Sequence, residues 1–283
     1  MKNYFATDCI NIRKYFDLTQ NELSEQTGIP RVTIARIETN AYKPSSPSLE
    51  GIYSFAYEHG LNFNEDHADV MDDDKGNRIL LFHGSKNEIK TNISLDYSRE
   101  INDFGKGFYA GETLQQAATF ISSYRSNYVY AFYLRKDNLN IYELSADIEW
   151  MLAISYFRGR IKEYENHPII QKIIEKIKKS DVIIAPIADN SMYETLNEFA
   201  AKEITDEQCR HSIRANYLGK QYVFLNNKAL SNIEGITCLY IPQIQKQKYK
   251  TIKFEQTEAS KNKIEMAKLN YRRMGKYIDE LLK

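Results

Sequence analysis

Hydrophobic positions change rhythm along the chain, and the changes divide it into three zones. Up to about residue 61, apolar residues recur in short helical runs. From residue 79 to about 242, short runs rich in β-branched and aromatic residues alternate with helical ones. These predict strands at 79–82, 128–134, 140–142, 182–187, 222–225 and 237–241. They predict helices at 113–123, 146–158, 169–179, 192–199 and 206–217. The alternation has no regular βαβ rhythm, which argues for an α+β domain rather than a doubly wound sheet. Beyond residue 243, Ile264, Ala267, Tyr271, Met274, Ile278 and Leu281 recur at alternating spacings of three and four, as in one helix with a single apolar seam. Between the first two zones lies an acidic stretch with Asp72, Asp73 and Asp74 in a row, read as a linker because adjacent like charges repel and bury poorly. The expected organisation is therefore a helical domain over 1–63, a linker over 64–77, a mixed domain over 78–242 and a helical extension over 243–283.

Within the first zone, residues 18–38 read LTQNELSEQTGIPRVTIARIE. Thr19 and Glu22 have capping-box spacing and start a helix. Gly28 can take the left-handed conformation that ends it. Ile29 and Pro30 restart the chain into a second helix. Leu23, Ile29, Ile34 and Ile37 form one apolar face across the turn, and Asn40 can adopt a positive φ beyond it. These residues resemble the Xre/Cro-type helix-turn-helix over about 50 residues. Ser24, Pro30, Ala35 and Asn40 depart from its pattern. The resemblance implies that Gln20, Arg31, Thr33 and Arg36 face DNA, the start of the second helix reaching base edges and Gln20 a phosphate. Residues 1–60 hold six basic against seven acidic side chains, a weak electrostatic footprint for DNA. A helix bundle serving as a docking module is the alternative.

Composition narrows the classes further. The 283 residues are 42% hydrophobic and 27% charged, with 38 Lys+Arg balancing 38 Asp+Glu, so bulk charge draws the chain neither to nucleic acid nor to anionic membrane. No apolar run approaches a membrane span, and the first ten residues lack a signal core. Three widely spaced cysteines, Cys9, Cys209 and Cys238, lack metal spacing and fit a reducing cytoplasm. Residues 243–283 carry eleven basic against five acidic residues, a face for solvent, nucleic acid or a partner.

The middle zone contains no Walker, Rossmann or HExxH motif. Two other clusters stand out. One is an apolar run ending in His83-Gly84-Ser85. The other is Asp103-Phe104-Gly105-Lys106-Gly107-Phe108-Tyr109, followed eleven residues later by Phe120. Gly84 allows a ligand to lie on the backbone. Tyr109 and Phe120 could hold a flat ring between them, each face contributing roughly 1–3 kcal/mol by analogy with base–aromatic stacking.

In these residues, over about 79–230, the chain resembles the ADP-ribosyltransferase superfamily on its diphtheria-toxin and poly(ADP-ribose) polymerase side. It most resembles a bacterial family of uncharacterised transferase-like domains carrying DFGKGFY. The resemblance implies a split β-sandwich fold and NAD as ADP-ribose donor. His83 would then bond a ribose hydroxyl, Gly84 the carboxamide beside Ser85, and Tyr109 and Phe120 the nicotinamide ring. The superfamily's carboxamide-binding Ser falls on Ala117, and its catalytic Glu on Gln221. Losing one preorganised electrostatic group costs about 100- to 1,000-fold. Three readings stay open: a slow transferase, a substitute carboxylate such as Asp189, Glu194, Glu198 or Glu203, or a pocket that binds NAD without turnover. Arg158 and Arg160 are candidates for the pyrophosphate. The implied function is transfer of a single ADP-ribose to a macromolecule in a toxin or antiphage setting, with an antitoxin or regulator as a candidate partner and no metal. The alternative is a DNA-binding regulator whose degenerate pocket senses NAD or a related nucleotide.

Overall fold

A computed structural model describes residues 1–89, 93–216 and 218–283. The chain begins with β1 (Lys2–Asn3) and five helices: α1 (Phe5–Tyr15), α2 (Gln20–Thr27), α3 (Arg31–Glu38), α4 (Ser46–Glu58) and α5 (Phe63–Asp73). There follow β2 (Ile79–Gly84), β3 (Phe108–Gly111), α6 (Leu114–Ile121), β4 (Tyr128–Leu134), β5 (Ile141–Glu143), α7 (Ile148–Phe157) and α8 (Pro168–Lys178). The remainder is β6 (Val182–Pro186), α9 (Asn190–Ala200), α10 (Asp206–Arg214), β7 (Lys220–Phe224), α11 (Asn227–Leu230), β8 (Ile233–Tyr240), α12 (Gln243–Asn270) and α13 (Ile278–Leu281). The class is α+β, as the irregular alternation implies. The last residue of the expected helix 206–217, Tyr217, lies outside the described residues.

The chain divides into two units. The first holds β1, α1 to α5, β2, α6, β4, β8 and the start of α12, with strands in the order β1-β8-β4-β2. Every residue of β4 is buried, because the strand is covered on both faces. Tyr128 and Tyr130 pack with Tyr240 of β8 against Phe5, Ile52 and Tyr53 of the helical region. Val129, Ala131 and Tyr133 pack with Leu80 and Phe82 against α6. The helical region thus shares a core with this sheet.

That shared core corrects the expected linker. Residues 63–73 form α5, where Asn64 and His67 find buried acceptors. Asn64 Nδ2 donates to the Tyr240 carbonyl at 2.8 Å and to Gln245 Oε1 at 2.9 Å. His67 Nε2 donates at 2.8 Å to Asp8, which is fully buried and also accepts from the Tyr53 hydroxyl. Asp72, Asp73 and Asp74 stay exposed at the end of the helix, where their repulsion is screened by water.

The second unit holds β3, β5, α7 to α10, β6, β7, α11, most of α12 and α13, with strands in the order β3-β7-β6-β5. β7 is antiparallel to both β3 and β6, while β5 is parallel to β6. Trp150, Ile173, Leu196 and Phe199 of the helices cover Ile183, Ala185 and Val223 of the strands. The expected single C-terminal helix is corrected to two. Gly275 turns the chain at φ +83°, and a Cβ there would lie against Asp206 and Glu207. The turn lets the Thr205 hydroxyl donate to the Met274 carbonyl at 2.6 Å and buries Ile278 completely.

Candidate functional site

The helix-turn-helix is built as its residues dictate. Thr19 and Glu22 form a reciprocal capping box, Gly28 closes α2 at φ 69° and Pro30 precedes α3. Leu23, Ile29, Ile34 and Ile37 are buried. This leaves Arg31, Val32 and Arg36 of α3 exposed and Thr33 half-buried, a surface a major groove can accept. Gln20, half-buried, is held from within the unit. Its Nε2 donates to Glu38 Oε2 at 2.8 Å, beside the Arg13 guanidinium, which donates to the same carboxylate at 2.6 and 3.1 Å. Burial raises the Glu38 pKa, but the Arg13 and Gln20 hydrogen bonds outweigh it and hold the carboxyl below its ordinary value. Gln20 therefore bonds an internal ion pair that ties α1 and α2 to α3.

In the same unit, β2 ends in His83 and Gly84. A Cβ on Gly84 would lie 2.4 Å from the Ala117 carbonyl oxygen and 2.9 Å from Ile121, so α6 occupies the space a side chain would need. The glycine is required by helix packing, and its backbone pairs with Val129. His83, one residue earlier, lies on the other face of β2 opposite Tyr130 and is half-buried. Ser85 follows the strand, its N–H reaching the Tyr128 carbonyl at 3.4 Å. Phe120 on α6 is 47% exposed, its ring 5.2 Å from that of Tyr124.

In the second unit, Tyr109 and Gln221 are brought together. Tyr109 pairs with Val223 and Gly111 with Gln221, so the antiparallel β3–β7 register sets both side chains on one face, one diagonal step apart. The Tyr109 hydroxyl accepts from the Phe104 N–H at 3.1 Å and donates to the Gly105 carbonyl at 2.7 Å, which fixes the Asp103–Gly105 turn. Gly105 takes φ +74° there. Burial pushes the Tyr109 phenol well above its ordinary pKa, so it stays protonated.

Asp103 heads the DFGKGFY run. Its carboxylate is buried at the centre of this group. Oδ1 accepts from Arg158 at 2.7 and 3.1 Å and from the Tyr193 hydroxyl at 2.6 Å, and Oδ2 accepts from Gln221 Nε2 at 2.9 Å. Burial lowers the Arg158 pKa, but the Asp103 charge more than restores it and the net shift is upward. Arg158 also lies over the Tyr193 ring at 4.2 Å. It is thus paired inside the unit, which argues against its assignment to a pyrophosphate. The carboxylates that the resemblance left open as substitutes at Gln221 are engaged elsewhere or exposed. Asp189 caps α9 through Met192, Glu198 pairs with Lys268 at 2.7 Å, and Glu194 and Glu203 are exposed. The carboxylate beside Gln221 is Asp103, and the signal for it was its place at the head of the DFGKGFY run.

Thiol chemistry has little support. Burial pushes Cys9 and Cys238 up to about 12, and Cys209 is raised well above its ordinary value for the same reason. Among the described residues, no group of three or more His, Cys, Asp or Glu could hold a metal ion, and no helix is long and apolar enough to cross a membrane.

A helix-turn-helix followed by a mixed α+β region with an Asp–Arg–Tyr–Gln cluster around a buried carboxylate is thus the class of protein that fold and site define. The chain belongs to the family described as protein of unknown function (DUF3990), whose model matches residues 79–234. A helix-turn-helix family model matches residues 11–52, so the DUF3990 region is fused to a DNA-binding domain. No curated protein and no solved structure matches the chain.

Proposed function

We propose that this is a DNA-binding protein whose DUF3990 region binds NAD and transfers one ADP-ribose unit to a macromolecule, in a toxin or antiphage setting. The observation that carries the reading is the β3–β7 ladder. It sets an aromatic ring, Tyr109, and the polar end of Gln221 on one face, with the Asp103 carboxylate 2.9 Å from the Gln221 amide. In such a transfer the C1′–nicotinamide bond breaks and nicotinamide leaves with the bonding pair. The ribose carries the developing positive charge, and the acceptor atom bonds C1′ as it gives up its proton. Preorganised oxygen atoms near that ribose stabilise the charge. On this reading Gln221 serves the ribose and Tyr109 the ring; His83 for a ribose hydroxyl, the Gly84 backbone for the carboxamide and Phe120 for the ring rest on the resemblance alone.

One observation favours a second reading. Asp103 is already paired with Arg158, so the cluster offers a reacting ribose little net negative charge. On that reading the region senses NAD or a related nucleotide and regulates the DNA-binding domain without turnover. Full-length protein incubated with adenylate-labelled NAD and cell lysate separates the two. The transferase predicts label on protein or nucleic acid and released nicotinamide, both lost with His83→Ala. The sensor predicts NAD binding by calorimetry with no label transferred. Absence of both binding and transfer would falsify the NAD reading.

A further inference from the structure

A glutamine amide has two N–H donors on one end and an acceptor oxygen on the other. The surroundings of Gln221 decide which end is held. Nε2 donates to Asp103 Oδ2 at 2.9 Å and to the Pro186 carbonyl at 3.1 Å. Both partners are acceptors: the Asp103 carboxylate is ion-paired with the Arg158 guanidinium, and a backbone carbonyl has no proton to give. Turning the amide over would set Oε1 against two oxygens, so the network fixes its orientation. Both donors are then engaged, and no donor among the described residues reaches Oε1.

We propose that Asp103 is a positioning residue that makes Gln221 an acceptor toward the ligand. With Nε2 held inward, Gln221 presents only Oε1, which suits a hydroxyl donor such as one hydroxyl of a ribose diol. Arg158 and Tyr193 act one step further back by donating to Asp103 and fixing its orientation. The site thereby supplies the acceptor oxygen of a carboxylate without its charge. A glutamate at this position is not an improvement, because its oxygens would meet the Asp103 carboxylate and the Pro186 carbonyl. Like charges that close cannot both stay ionised. The identity of the hydroxyl donor rests on the NAD reading, whereas the orientation of Gln221 does not.

The test uses full-length protein with Gln221→Glu, Asp103→Asn and the double substitution. The first readout is thermal unfolding between pH 5 and 8. The carboxyl introduced by Gln221→Glu is held above its unfolded pKa, so its penalty grows as pH rises. The melting temperature falls relative to wild type as pH increases, and Asp103→Asn in the same chain removes that trend. A flat difference across the pH range, or no coupling to Asp103→Asn, overturns the proposal. The second readout is the ratio of the dissociation constants for NAD and for NAD lacking the 2′-hydroxyl on the nicotinamide ribose. Wild type prefers NAD by about five- to tenfold, the worth of one hydrogen bond. In Asp103→Asn the ratio collapses toward one, because the introduced amide can turn its own N–H toward Gln221 and reverse it. A ratio retained in Asp103→Asn overturns the positioning role. Wild type that binds neither nucleotide removes the NAD reading, and the unfolding series still decides the orientation.

Discussion

Asp181 shows how a single side chain sets a pH limit. Its carboxylate accepts from the Asn140 N–H at 2.7 Å, from Asn226 at 2.9 Å and from Lys228 at 2.6 Å. Burial raises its pKa, but these partners outweigh it and hold the carboxyl at about 2. The unfolded value is about 3.9, so the contribution is fully present above that pH and is lost as pH falls toward 2. Asp181→Asn is therefore expected to flatten the acid limb of stability between about pH 4 and pH 2, measured by urea unfolding at stepped pH. Gly84 is limited by packing instead. The Ala117 carbonyl that its Cβ would meet is backbone and cannot rotate away. Gly84→Ala is expected to cost about 1–3 kcal/mol by overpacking, read from the urea midpoint. Gly84 was legible as a special position in the sequence. That α6 fills the side-chain space was not, because the partner lies more than thirty residues away.

At the scale of elements, the helix-turn-helix was the most legible part. Its signals are local: a cap three residues from its partner, a glycine at the turn and an apolar face within twenty residues. Thr19→Ala is expected to remove the cap and lower stability by about 1 kcal/mol. Arg31→Ala and Arg36→Ala should leave the melting temperature unchanged, since both side chains are exposed. Each should weaken binding to duplex DNA and, where it meets a phosphate, reduce the salt-dependence slope by about one, read from titrations at several salt concentrations. Strand β1 escaped the pattern because it is two residues long and draws its pairing from a distant strand. The seam of the C-terminal helix continued in sequence across Gly275, whose positive φ is set by its packing against α10.

At the scale of the molecule, the boundary expected at residue 63 does not separate two cores. Tyr128 meets Ser46 through their hydroxyls at 3.0 Å, and the single proton of the Tyr240 hydroxyl is shared between Glu50 at 2.9 Å and the Ser46 carbonyl at 3.1 Å. A fragment of residues 1–77 loses these partners and exposes Phe5, Tyr53 and Phe55. It is expected to melt well below the full chain and to show broadened amide resonances. A fragment as stable as the same region in the full chain would show that the shared core contributes little. The coupling has a functional side, because a chain that builds its DNA-binding helices on β4 and β8 cannot move them independently of that sheet.

The sequence alone determined what short-range physics controls: the helix-turn-helix with its caps, the α+β class, most helices and strands, and the motif residues from His83 to Gln221. Tertiary structure decided what depends on partners far along the chain. It made a helix of the acidic stretch by giving Asn64 and His67 buried acceptors, and it broke the last helix at Gly275. It also placed Asp103 against Gln221, 118 positions apart, so that the direction of one amide follows from two acceptors no local pattern could bring to it.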